Sequence, residues 1–290
     1  MGKVFSYDEI RNGVMPDHRA FDVALSSFEL LSRNAIETGV IDGSFVYGSV
    51  ALSVVNRRSD FDSFIALTYR TQSGYEYVKD MYTVINRRAP TVPVTPMVYP
   101  KQALSSAQHE IDRFFGQHLS SSYRIVYGND PASYLRYAQQ PAGDILASYL
   151  AQKKRVLTNA YVSPEPMDYR DGCGLQRMLE LPAAVGRKAV QALIEVGEFR
   201  GSLDNTADKI AVIHAARKVM AEELIESNFD DLIRCNTYYD DLLEATLNDE
   251  LSKTQYESEI TGLMQKLPMA VRWLNSVEQT ILPKLPRSSN

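Results

Sequence analysis

The sequence predicts an α+β fold: a small mixed-sheet domain over residues 1–140, followed by an all-helical domain over 141–290. Three observations carry this. Short β-branched and aromatic runs alternate with helical periodicities through the first 130 or so residues. After Gly143 the strand signals stop, and long stretches with apolar residues every three or four positions take over. Glycine and proline mark the joints, at Gln140-Pro141-Ala142-Gly143, Ser163-Pro164-Glu165-Pro166 and Asp171-Gly172-Cys173-Gly174.

The elements follow in order. Phe21 to Ile36 is close to a helical period, with apolar residues at Phe21, Val23, Ala24, Leu25, Phe28, Leu31, Ala35 and Ile36 and Gly39 as a stop signal. The run IDGSFVYGS, from Ile41, reads as a strand ending in a turn, and DFDSFIALTY, from Asp60, as a second strand. Gly74 to Ile85 is helical. Thr91 to Pro100 is rich in β-branched residues, but its three prolines restrict it to a sheet edge. Ala103 to Phe115 returns to a helical pattern, and SYRIVYGNDP is a short strand closed by Gly128-Asn129-Asp130-Pro131. Beyond Gly143, helices are expected over Asp144–Leu157, Leu175–Phe199, Thr206–Ser227, Asp230–Leu247 and Ser252–Leu282. Ile210, Ile213, Val219, Met220 and Leu224 form one stripe, and Pro268 kinks or splits the last helix.

Of the 290 residues 44% are apolar and 23% charged, as in ordinary globular proteins. No apolar run reaches the ~18 residues of a membrane span, and the N-terminus has no apolar signal core. The two cysteines, Cys173 and Cys235, form neither a metal-like pair nor a disulfide framework. A cytoplasmic location is therefore expected. The net charge of −5 is uneven: residues 221–260 hold twelve acids and two bases, a net −10, against +5 for the rest. Such a stretch is either a solvated helix face or a region that meets a cationic partner. RNA would be repelled there, and no basic stripe offers it another place, so nucleic acid is disfavoured as a partner.

The chemistry concentrates in FVYGSVALSVVNRRSDFDSFIAL, Phe45 to Leu67. Residues two apart on a strand share a face, so Asp60 and Asp62 present two carboxylates to one spot. Alone they would repel and raise each other's pKa. A divalent cation between them removes the conflict, and Mg²⁺ commonly takes one or two carboxylates together with substrate phosphates. Gly48-Ser49 supplies a turn where backbone approaches closely, with N–H groups and a hydroxyl suited to phosphate oxygens. Together these pieces describe a metal–triphosphate site.

The order strand, Gly48-Ser49 turn, ten residues, then Asp60-Phe61-Asp62 with apolar flanks resembles the nucleotidyltransferase superfamily of DNA polymerase β type. The ten-residue gap and Ser59 resemble its bacterial branch, which holds antibiotic nucleotidyltransferases and minimal, toxin–antitoxin nucleotidyltransferases. Arg124 to Asp130 is similar, more loosely, to the Tyr-Gly turn that closes the catalytic domain there. By motif the resemblance covers roughly residues 20–130; the helical second domain matches by class only. It implies Mg²⁺ on Asp60 and Asp62 and a nucleoside triphosphate gripped by Gly48 and Ser49. It further implies transfer of AMP from ATP to a hydroxyl of a small molecule such as an aminoglycoside. Transfer to a protein or tRNA, and a degenerate nucleotide-binding protein, are the alternatives. Two departures stand out. Leu52-Ser53 replaces an expected Arg-Gly pair. The third carboxylate that many members carry on the next strand is missing from Val92 to Tyr99. Glu110, Asp112, Asp130, Asp144 and Glu165 are the candidate substitutes.

Other candidates have plainer readings beside them. Arg57 and Arg58 are phosphate contacts or loop residues. Lys153, Lys154 and Arg155 are a triphosphate contact or a solvated charge run. Tyr47, Tyr127, Tyr134 and Tyr137 are ring-stacking positions or packing. Tyr238-Tyr239-Asp240-Asp241 and Phe229-Asp230-Asp231 place aromatic beside acid, the chemistry a cationic acceptor needs. Trp273 is a core or interface anchor. The four histidines lack ligand spacing, and P-loop, dinucleotide-binding and nucleophile-elbow motifs are absent.

Overall fold

A computed structural model describes residues 3–163, 173–200, 203, 208–219 and 228–288. The main elements are α1 (Tyr7–Arg11), α2 (His18–Glu37), β1 (Ile41–Tyr47), α3 (Gly48–Ala51), β2 (Phe61–Leu67), α4 (Gln72–Arg88), β3 (Val94–Pro100), α5 (Lys101–Ser105), α6 (Arg113–Ser121) and β4 (Tyr123–Gly128). They continue as α7 (Ala142–Val162), α8 (Gly174–Glu195), α9 (Lys209–Val219), α10 (Asp230–Leu247), α11 (Lys253–Met264) and α12 (Leu267–Ile281). The class is α+β, with a small mixed sheet followed by a helical region.

The sheet has the order β3-β2-β1-β4. β1 runs antiparallel to both β2 and β4, and β2 pairs in parallel with β3. The proline-bearing strand β3 takes the edge, as its sequence requires, because Pro93, Pro96 and Pro100 have no N–H to donate to a further neighbour. Alternation along the strands separates two apolar faces. Val46, Phe61, Ile65 and Leu67 meet Phe21 and Phe28 of α2 and Val78, Met81 and Ile85 of α4. Phe45, Tyr47, Phe64 and Ala66 meet Leu104 of α5 and Leu119 of α6 on the other side. The polar Ser63 on the first face is satisfied by the buried Tyr82 hydroxyl at 2.8 Å.

The chain divides into two compact units, Met15–Ala138 and Gly2–Val14 with Gln139–Asn290. The grouping of the first residues differs from the single 1–140 block expected. The reason is local. The Phe5 N–H donates to the Tyr239 hydroxyl at 2.8 Å, and the Tyr256 hydroxyl donates to the Phe5 carbonyl at 2.6 Å. Val4 and Phe5 are buried. Ser6 and Glu9 then form a capping box that starts α1, and Arg11 pairs with Asp249 at 3.0 Å.

Two helical expectations are corrected, for Ala103–Phe115 and for the stripe from Ile210, while the split expected at Pro268 is found. Ala103–Phe115 is not one helix: α5 ends at Ser105, Ala107 is left-handed at φ 55°, and Asp112 caps a new helix by accepting from the Phe114 and Phe115 N–H groups. Ser252–Leu282 is two helices, with Pro268 in the first turn of α12, where its missing N–H has no intrahelical partner to lose. In α9 the buried positions are Val212 and Ala216, while Ile210 is 70% exposed. Met220 and Leu224 of the expected stripe lie outside the described residues. Cys173 and Cys235 are both buried, with no disulfide between them. No described helix is long and apolar enough to cross a membrane.

Candidate functional site

The site is built by strand register. β1 and β2 are antiparallel with Val46 opposite Ser63, so continuing one step sets Tyr47 beside Asp62. The parallel pairing of β2 and β3 sets Asp62 beside Thr95, and β4 sets Tyr123 beside Tyr47. Residues paired across strands share a face. Tyr123, Tyr47, Asp62 and Thr95 therefore form one row at the end of the sheet where β1 finishes and β2 begins. Asp60 joins this row: the Thr95 hydroxyl donates to Asp60 Oδ2 at 3.3 Å. Asp60 is 6% exposed and Asp62 half-buried. Both carboxylates act on one phenol. Burial, then the charges of Asp62 and Asp60, push the Tyr47 hydroxyl far above the usual tyrosine range. The sequence-predicted pair is thus brought together, and Thr95 is a partner that sequence reasoning missed. Its only signal is register, which cannot be read before the strands are paired.

Gly48 follows Tyr47 directly and starts the one-turn helix α3. Its φ is +68°, the left-handed region, and a Cβ built on it would lie 3.1 Å from Asp62 Oδ2. Both facts call for glycine: the backbone turns sharply and the carboxylate lies against it. The Gly48 N–H donates to the Ser122 carbonyl at 3.0 Å, so this N–H does not face the carboxylates as a free phosphate donor. That narrows the sequence reading of the turn to Ser49, which is half-buried, and to close approach of the backbone. The loop before Asp60 is itself closed. The Ser59 N–H donates to the Asn56 carbonyl at 3.0 Å, and the Asn56 N–H to Ser59 Oγ at 2.9 Å. The Phe61 N–H then donates to the Pro93 carbonyl at 2.7 Å, which begins the pairing with the edge strand. Arg57 is exposed on this loop and Arg58 half-buried.

Among the described residues no group of three or more histidine, cysteine, aspartate or glutamate side chains stands ready to hold a metal. The donor set is two carboxylates, with the Thr95 hydroxyl holding one of them. This fits Mg²⁺, a hard cation that completes its shell with water and substrate phosphate oxygens. The candidate substitutes for a third carboxylate have partners of their own or lie outside the described residues, apart from exposed Glu110. Asp112 caps α6. Asp130 accepts from the Tyr123 hydroxyl at 2.8 Å and caps a turn of 3-10 helix at Pro131–Tyr134. Asp144 accepts from the Ser288 N–H and hydroxyl in the helical unit. Glu165 lies outside the described residues. Glu110 is exposed, and after burial its charge is what raises the Tyr99 hydroxyl.

The remaining candidates separate cleanly. Tyr47 is buried in the row. Arg33 lies over the Tyr127 ring. The Tyr134 hydroxyl donates to Asp42 at 2.7 Å, and Tyr137 packs edge-on to His109. These are packing roles. Trp273 is a core anchor, fully buried and stacked on Phe229. In α10 the aromatic and acidic neighbours face different ways: Phe229 and Tyr239 are buried, while Asp240 and Asp241 are exposed. Asp230 is paired with Arg217 at 2.7 Å, and Asp231 with Arg234. Helical periodicity splits the run: Tyr239 turns inward, while Tyr238, Asp240 and Asp241 are exposed. Of the expected acids, Glu222, Glu223 and Glu226 lie outside the described residues. The Lys153–Arg155 run is also split: Lys153 is buried, Lys154 pairs with Glu278 at 2.6 Å, and Arg155 is exposed.

No protein-family model matches the chain, and no curated protein sequence does. Among solved structures, the chain is similar to the crystal structure of spectinomycin adenyltransferase AAD(9) from Enterococcus faecialis with ATP and spectinomycin. The identity is 12% and the TM-score 0.47, with 86% of this chain and 98% of that chain covered.

Proposed function

We propose that the protein is a Mg²⁺-dependent nucleotidyltransferase that moves AMP from ATP to a hydroxyl of a small-molecule acceptor and releases pyrophosphate. The observation that carries this reading is the row at the end of the sheet, where Asp60 and Asp62 meet and Gly48 lets the backbone lie against Asp62. In this reading the sheet unit, Met15–Ala138, is the catalytic region and the helical unit the acceptor-binding region. Asp60 and Asp62 would hold the metal, which supplies charge neutralisation at the triphosphate when bound. Thr95 fixes the Asp60 carboxylate, so the pair needs little rearrangement to accept a cation. Ser49 and the Gly48 turn receive the triphosphate tail. The acceptor oxygen bonds to the α-phosphorus, the bond from that phosphorus to the bridging oxygen breaks, and the hydroxyl proton leaves to solvent. Such transfer depends mainly on positioning and electrostatics rather than on covalent chemistry by the protein.

A second reading, a nucleotide-binding protein without turnover, is favoured by one observation: the described residues bring no third carboxylate to the pair. One experiment separates the two. ATP labelled at the α-phosphate is incubated with Mg²⁺, the protein and a panel of aminocyclitol, aminoglycoside, protein and tRNA acceptors. Transfer of label with pyrophosphate release supports the enzyme and names the acceptor. Tight Mg·ATP binding with no transfer to any acceptor supports the binding protein.

A further inference from the structure

Each hydroxyl in the row at the end of the sheet has a partner, except one. The Tyr123 hydroxyl donates to Asp130 at 2.8 Å, and the Thr95 hydroxyl to Asp60 at 3.3 Å. Tyr47 stands next to Tyr123 across β4, and the β1–β2 register continued by one step sets Asp62 on its other side. Its side chain is only 5% exposed. Its ring is held edge-on by Phe45 at 6.2 Å and by Phe115 of α6 at 6.3 Å. Yet among the described residues its hydroxyl makes no hydrogen bond. Nor is that hydroxyl one of the polar atoms sealed from solvent without a partner, as Ser44 Oγ and Trp273 Nε1 are. A tyrosine buried to this degree normally finds a hydrogen-bond partner, and leaving the donor unpaired is costly. The turn that follows has no spare backbone donor at its first position, since the Gly48 N–H is given to the Ser122 carbonyl at 3.0 Å. The donors that this end of β1 offers an incoming anion are thus the Tyr47 hydroxyl and the Ser49 hydroxyl.

We propose that the Tyr47 hydroxyl is a substrate-binding group, which donates a hydrogen bond to a non-bridging phosphate oxygen of the Mg²⁺-bound nucleoside triphosphate. The inference rests on the nucleotidyltransferase reading given above and adds a residue to it. A phenolic O–H is neutral, so it gives the anion a donor without competing with the cation for the carboxylates. A hydrogen bond to a charged oxygen is stronger than one to a neutral acceptor, which favours phosphate over an acceptor hydroxyl. The packed ring already fixes the direction of the donor, so little freedom is lost when the ligand arrives. Removing the hydroxyl should therefore weaken nucleotide binding and leave metal binding alone.

The test compares wild type, Tyr47→Phe, Tyr123→Phe and Asp60→Ala/Asp62→Ala as full chains. Phenylalanine keeps the ring that packs on Phe45 and Phe115, so Tyr47→Phe removes the hydroxyl alone. Mg·ATP affinity is measured by isothermal titration, and binding of Mn²⁺ without nucleotide by electron paramagnetic resonance. Tyr47→Phe should bind Mn²⁺ as wild type does and bind Mg·ATP about tenfold more weakly, the scale of one hydrogen bond to a charged acceptor. Tyr123→Phe, whose hydroxyl is taken by Asp130, should bind Mg·ATP as wild type does. Mg·ATP held through the carboxylates, as the double variant shows, but equally tightly by Tyr47→Phe, would overturn this inference and leave the nucleotidyltransferase reading standing. A rise in the acceptor KM of Tyr47→Phe with Mg·ATP affinity unchanged would overturn it too, and would give the hydroxyl to the acceptor. Mn²⁺ affinity falling together with ATP affinity would make Tyr47 a support for the carboxylates and would also overturn it. Mg·ATP bound equally by wild type and the double variant would remove the reading and the inference together.

Discussion

The sheet unit and the helical unit each bring like charges together, but they hold them in opposite ways. In the sheet unit the cluster is negative and sits at strand ends. Asp60 and Asp62 are fixed by register and by the Thr95 hydroxyl, and the Gly48 turn lies against them. In the helical unit the cluster is positive and lies along helix sides. Lys153 and Lys188 rest on one tyrosine ring, and α8 supplies the guanidinium groups. Strand pairing fixes neighbours to within a fraction of an ångström, which suits a small cation with strict geometry. Long side chains on two packed helices are held more loosely, with the face of one tyrosine ring under both ammonium groups.

The largest effect expected is on the negative cluster. Asp60→Ala or Asp62→Ala should lower transfer on the order of 10³-fold, the scale of removing an electrostatic catalytic group, with the fold intact by circular dichroism. If either variant turns over as wild type does, the comparison loses its catalytic side.

The next effect separates the clusters by sign. Burial, followed by the charge of Arg177, depresses the Lys153 ammonium to about 8. Its unfolded value is near 10.4, so the unfolded chain holds the proton more firmly. The charged form therefore costs stability below pH 8, by up to about 3 kcal/mol, and the cost is relieved as pH rises from 8 towards 10.4. Denaturant titrations at pH 7 and pH 9.5 should show wild type gaining stability relative to Lys153→Met. A constant difference across that range would mean the lysine is not strained.

Smaller effects probe how the carboxylates are held. Thr95→Val removes the hydroxyl that holds Asp60 and should weaken metal binding by roughly 10–100-fold without unfolding the protein, as loss of an outer-shell partner does. Metal titration followed by the Tyr47 region of the NMR spectrum would report it. Gly48→Ala combines a left-handed backbone with a Cβ 3.1 Å from Asp62 Oδ2. It should cost about 1–2 kcal/mol in a chemical melt and displace that carboxylate. An alanine variant with unchanged stability and metal affinity would show that the turn does not constrain the site.

Much of the sheet unit was legible because its signals are local. Alternation in Asp60-Phe61-Asp62, the glycine at 48 and the prolines of the edge strand each state a geometric requirement at one position. Thr95 was not legible, since its role depends on the parallel register with Asp62, a pairing between segments over thirty residues apart. The helix break at Asp112 was hidden by an apolar periodicity that continues across it; a capping aspartate decided the matter. In the helical unit, Lys153-Lys154-Arg155 reads as one charge run, yet 100° per residue sends the three side chains to three environments. The same rotation parts buried Tyr239 from Asp240, and leaves Tyr238 exposed with the acids. The first residues were assigned to the sheet unit by position, whereas hydrogen bonds of the Phe5 backbone to Tyr239 and Tyr256 group them with the helices.

The most direct test of the central claim is the metal dependence of nucleotide binding at the carboxylate row. ATP is titrated into wild type and Asp60→Ala/Asp62→Ala, each with and without Mg²⁺. The account predicts that Mg²⁺ strengthens ATP binding to wild type at least tenfold and has no effect on the double variant. Equal Mg²⁺ enhancement in both proteins, or none in wild type, would contradict it.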